Sequence, residues 1–193
     1  MKDFYESLID NKVQAIIIID TNAWNFLKNS QIDLYSAELS AYDFYITIEI
    51  YREMESLAER EDKADIYAYF KGQTADFGYP LSHFGAYDSR YPDDEQRFSG
   101  FGFGRLSSIF DDNLIERNAA SVKSSKRGVY YGNEADLFIS SWGNGKCFIL
   151  TEDNRKTGPL SKIENTIYVS QNKPMTVIEF KNILDAETKV KEK

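Results

Sequence analysis

The segment Val13-Gln14-Ala15-Ile16-Ile17-Ile18-Ile19 limits the possible folds more than any other stretch of this chain. β-Branched side chains favour extended backbone, and apolar residues at successive positions leave neither face of a strand polar. A strand buried on both faces belongs inside a parallel sheet that is covered by helices on each side. The run is far too short for the roughly 20 apolar residues of a membrane helix. No basic stretch followed by an apolar one opens the chain, so the expectation is a cytoplasmic protein with no membrane partner. At 193 residues the length suits a single domain, 1–193, with an elaboration inside it at 72–130.

Helical and strand patterns alternate on either side of this run. The strand ends at Asp20-Thr21-Asn22, and Ala23 to Leu27 reads as a short helix capped by Thr21 or Asn22. A second strand is expected over 44–48. It leads into a helix with apolar residues at Ile50, Met54, Leu57 and Ala58. Residues 60–71 read as helical, as do 134–142, the latter closed by Gly143-Asn144-Gly145. Short buried strands are expected at 147–150 and 166–169, and a last helix at 175–184 behind Pro174, with a frayed Lys/Glu tail. This alternation gives an α/β class with a mainly parallel central sheet.

Residues 72–104 interrupt the pattern. The stretch 66–104 carries 11 of the 28 aromatic residues and 6 of the 11 glycines, without a period of 2 or 3.6. It reads as a long irregular insertion. Such a segment either packs onto its own domain or offers aromatic surface to bases or to a partner.

Composition narrows the chemistry. With one cysteine, Cys147, and one histidine, His83, the chain has no disulfide framework, no multi-cysteine zinc site and no imidazole-rich site. It has 23 Lys and Arg against 31 Asp and Glu, a formal charge of −8, which argues against coating nucleic acid by bulk charge. Carboxylates are what remain. Open parallel sheets bind ligands at the carboxyl ends of their strands. Asp20 follows the first strand, Asp153 follows the strand at 147–150, Glu53 lies early in the second helix, and Asp136 opens another. Each has an ordinary reading as a cap or as a dipole partner. Jointly they would repel unless a divalent cation relieves them, and oxygen ligands select Mg²⁺ or Mn²⁺.

Four motifs in order resemble those of the PIN-domain nucleases, the family that includes toxin ribonucleases of the VapBC type. They are Ile19-Asp20-Thr21-Asn22, Tyr45-Ile46-Thr47 followed by Glu53, Asn133-Glu134-Ala135-Asp136 with its apolar helix, and Leu150-Thr151-Glu152-Asp153. The resemblance spans 13–154. It departs in the span of 83 positions from Glu53 to Asp136, which holds the aromatic insertion. Glu49, Glu55 and Glu134 are nearby acids.

The resemblance implies a PIN-like, Rossmann-like three-layer sandwich and a metal-dependent endoribonuclease, with the toxin of a toxin–antitoxin or defence system among the roles it suggests. Asp20, Asp136, Asp153 and Glu53 would be the catalytic residues and metal ligands, supported by Asn22 and Thr151. Its implied partners are RNA, with DNA as the other substrate, an antitoxin or other protein, and a second copy in a homodimer. Lys123, Lys126, Arg127, Arg155 and Lys156 flank the acids in sequence and are candidate phosphate contacts, or else solvated loop charge. Two alternatives carry weight. One is a degenerate PIN-like scaffold or regulatory binding module. The other is a haloacid-dehalogenase-like phosphatase, which would need a second Asp where Asn22 stands.

Overall fold

The computed structural model describes residues 4–78, 80–83, 104–105, 126–127, 130–131, 134–143, 145–154 and 160–189. The central element is β1 (Ala15–Ile19), all five residues of which are buried. It pairs in parallel with β2 (Tyr42–Tyr45) on one side, and on the other with β7 (Cys147–Thr151), which pairs with β8 (Thr166–Tyr168). The sheet order is β2-β1-β7-β8, every pair parallel. Two-residue ladders join β3 (Ser82–His83) to β4 (Gly104–Arg105), and β5 (Lys126–Arg127) to β6 (Tyr130–Tyr131).

Helices flank the sheet in a three-layer α/β sandwich: α1 (Phe4–Ile9), α2 (Ala23–Asn29), α3 (Ile48–Glu55), α4 (Ala64–Thr74), α5 (Glu134–Ser140) and α6 (Val177–Lys189). Alternate residues of a strand point to opposite faces, so Ile16 and Ile18 meet one layer and Ile17 and Ile19 the other. Phe4 of α1 packs edge-on against Tyr45 and Trp142. Phe26 of α2 lies against Phe180 of α6, and Trp24 meets Phe70 of α4 edge-to-face at 5.0 Å. At the amino ends of the strands, Tyr42 donates to Asp185 at 2.5 Å and Gln14 to Thr188 at 2.9 Å, which fixes the end of α6 there. No helix among the described residues is long and apolar enough to cross a membrane.

Several boundaries move from their expected places. The second strand is 42–45 rather than 44–48, because Thr47 turns from strand to cap and its hydroxyl accepts the Ile50 amide. Leu57 and Ala58 fall in the turn beyond α3. The stretch expected to be irregular from 72 begins as helix, since α4 runs on to Thr74. The helix expected at 134–142 closes at Ser140, with Gly145 at φ +54° in the turn that follows. The last helix covers 177–189, not 175–184, because Thr188 is buried and carries the contact to Gln14. Most of 72–130 and the last four residues lie outside the described residues.

The turn before β7 leaves no room for a side chain at Gly143. A Cβ there would stand 2.4 Å from Ile163 Cγ2 and 2.9 Å from Ile149 Cδ1. The Cγ2 methyl is bonded directly to the Ile163 Cβ, so it cannot swing aside freely. Gly143→Ala is expected to cost about 1–3 kcal/mol in urea denaturation, as overpacking does. A loss under about 0.5 kcal/mol would mean that Ile163 moves at no cost.

Candidate acidic site

Parallel pairing of β1 and β7 brings their carboxyl ends together, with Ile19 opposite Leu150. Asp20 and Thr151 therefore meet although they are 131 residues apart in the chain: the Thr151 hydroxyl donates to Asp20 Oδ2 at 2.6 Å. The other carboxylate oxygen, Oδ1, accepts the Thr21 amide at 2.7 Å. Thr151 also accepts the Asp153 amide at 3.0 Å, so one hydroxyl joins the ends of both strand segments.

Asp20 is 1% exposed. Burial raises its carboxyl from the usual 3.8 to about 7; the Thr151 hydrogen bond opposes that rise, and the nearby charges of Asp136 and Glu53 add to it. Those two acids arrive from different helices, Asp136 from α5 and Glu53 from α3, which pack against each other. Both are half-buried. Glu53 Oε2 accepts the Thr21 hydroxyl at 2.5 Å. Thr21 thus binds Asp20 through its amide and Glu53 through its side chain.

The remaining candidates are placed differently. Asp153 is half-buried, and its charge is felt by Tyr168, whose phenol is raised first by burial and then by that carboxylate. Tyr168 is 45% exposed at the end of the edge strand β8. Asn22 is exposed at the start of α2 and makes no side-chain capping bond. Glu55 is engaged elsewhere, paired with Lys71 at 3.0 Å and accepting the Tyr67 hydroxyl at 3.2 Å. Glu49 is 4% exposed in the first turn of α3. Lys126 and Arg127 form β5, opposite Tyr131 and Tyr130. Lys123, Arg155 and Lys156, and the side chain of Glu134, lie outside the described residues.

Thr21 is the participant that sequence reasoning passed over. By sequence it reads only as an alternative helix cap, and no spacing rule marks a hydroxyl that reaches a carboxylate 32 residues away. The donors are all oxygens, which fits a hard divalent cation. Among the described residues, however, no group of three or more acidic, histidine or cysteine side chains is close enough to hold a metal ion. The donor chemistry fits such an ion; the spacing as it stands falls short of a chelating triad. Comparison with family models, characterised proteins and solved structures returns no match for this chain.

Proposed function

We propose that the protein is a metal-dependent phosphodiester hydrolase acting on nucleic acid, RNA first, as its resemblance to PIN-domain nucleases implies. The observation that carries this reading is the buried carboxyl of Asp20 at the carboxyl edge of a parallel sheet, within electrostatic reach of Asp136 and Glu53. Burying an acid beside two others is unfavourable for folding alone, and such arrangements concentrate at functional sites.

On this reading Asp20, Glu53 and Asp136 would draw together around Mg²⁺ or Mn²⁺ from their present wider spacing, with Asp153 at the margin. The chemistry such an ion supplies, when bound, is neutralisation of charge on the attacked phosphate and a lowered pKa for a coordinated water. Thr151 fixes the Asp20 carboxylate by its 2.6 Å hydrogen bond, so that the carboxylate needs little reorganisation to act. Asp20 must release its proton to serve as a ligand, so affinity for the ion is expected to rise through about pH 7.

One observation favours a second reading, a PIN-like scaffold that binds without cleaving: the described acids do not close to chelating distance. A single series separates the two. Adding Mn²⁺ to one hundred times its Kd contributes about 2.7 kcal/mol of stability, a rise in Tm of roughly 5–11 °C for a chain of this size. Metal-dependent cleavage of a single-stranded RNA pool should accompany it. Unchanged melting, with no cleavage of any RNA or DNA pool, would leave the scaffold.

A further inference from the structure

We propose that the cleft between α3 and the end of α4 is a binding site for a small aromatic monocarboxylate. It is separate from the acidic site, since none of Asp20, Glu53 and Asp136 lines it, and it does not depend on the metal reading.

The cleft has a volume of about 390 Å³, within the roughly 300–1,000 Å³ of small-molecule sites. Three pieces of chain build its walls. Ile46 follows β2 and is buried, and Tyr51 stands half-buried on α3. Phe77 and Pro80 come from the segment that returns from α4 to the sheet. That return is pinned in place. The Leu81 amide donates to the Ile46 carbonyl at 2.8 Å, and the Ile48 amide donates to the Leu81 carbonyl at 2.8 Å. The walls therefore stand before any ligand arrives. At Gly78 a Cβ would meet nothing within 4 Å, so the space beside the backbone there is open.

The chemistry of the lining selects the ligand. Tyr51 and Phe77 offer aromatic surface, against which a flat ring packs offset or edge-on. Lys71 is the one charged side chain among the described lining residues. Its Nζ bonds Glu55 Oε1 at 3.0 Å and lies over the rings of Tyr51 at 5.6 Å and Tyr67 at 6.0 Å. Glu55 is itself held, because its Oε2 accepts the Tyr67 hydroxyl at 3.2 Å. The Glu55 hydrogen bond raises the lysine's pKa and so keeps the charge on it. An ammonium carries three N–H donors, so a ligand carboxylate can bond it while the Glu55 bond persists. One negative charge is the limit. A phosphate dianion would face the Glu55 carboxylate across the same lysine, and those like charges repel.

Titration calorimetry of the full chain with naphthoate, and with uncharged naphthamide beside it, tests this. Naphthoate is expected to bind with a Kd of about 0.1–1 mM, ordinary for a ligand of about a dozen heavy atoms. Naphthamide should bind about tenfold more weakly, the worth of one charge-assisted hydrogen bond. Lys71→Met should weaken naphthoate by about the same factor and leave naphthamide within about twofold. Gly78→Leu should abolish binding of both and leave Tm in place, because the new side chain enters open space. Ala75→Leu, which narrows the same cleft, replaces it if that variant fails to fold. No saturation by about 5 mM overturns the proposal, as does equal binding of naphthoate and naphthamide. Binding that survives both Gly78→Leu and Ala75→Leu also overturns it, because the ligand would then sit elsewhere.

Discussion

Asp20→Asn is expected to abolish metal-dependent cleavage and, in the same metal-free protein at pH 8, to raise Tm. The two effects share one cause. Asp20 is buried and carries a carboxyl near pH 7 instead of 3.8, so the native state keeps a proton that the unfolded state has already lost between those values. Stability therefore falls as pH climbs from about 4 to about 7, and levels off above, once both states are ionised. A shift of this size corresponds to on the order of 4 kcal/mol at neutral pH and above. Asparagine removes the buried charge but leaves Thr151 without its carboxylate acceptor, which returns about 1–2 kcal/mol. The net gain is then about 2 kcal/mol, or roughly 4–8 °C. The variant should also lose most of the slope of stability against pH over that window. An unchanged slope together with intact cleavage would remove Asp20 from the site.

Phe70→Ala is the substitution expected to cost most in stability. Phe70 is fully buried on α4, with ring contacts to Trp24 at 5.0 Å, Tyr51 at 6.3 Å and Tyr67 at 6.4 Å. Truncating a buried phenylalanine to alanine costs about 3–5 kcal/mol, combining lost transfer energy with the cavity left behind. For this chain that is a fall in Tm of roughly 6–20 °C. The position also bears on the site: Trp24 lies just after Asp20 and Thr21, and Tyr51 lies two residues before Glu53. Phe70 therefore braces the two segments whose side chains must meet, and its loss should weaken Mn²⁺ binding as well. Phe70→Leu, which fills more of the space, should fall between alanine and wild type. A loss under about 1 kcal/mol for the alanine variant would place α4 outside the cooperative core.

The fold was legible where burial acts on consecutive residues. The isoleucine run identified β1 as a strand covered on both faces, and its parallel partners follow from that. The start of α3 was less legible, because Thr47 serves equally as strand or cap and only its bond to the Ile50 amide decides. The end of α6 is not legible because a Lys/Glu-rich tail looks solvated, whereas Thr188 is held by Gln14 from the other end of the chain. In the site, Asp20 and Thr151 could be found from their places at strand ends. Thr21 could not, since its bond to Glu53 depends on how α3 packs and leaves no periodic trace. Asn22, adjacent and also polar, attracted the supporting role instead, yet it faces solvent.

The partnership of β1 and β7 also sets a timetable for synthesis. The edge of β1 that takes Cys147 to Leu150 waits while some 131 residues are added, because Asp20 meets Thr151 only across that interval. At about 5–20 residues per second this lasts on the order of ten seconds. During that time the nascent chain can pair β1 only with β2, and a bare isoleucine strand edge is an invitation to non-native pairing. The sheet and its acidic centre are thus completed in one late event, so a chain released before β7 emerges would carry Asp20 without the partner that orients it.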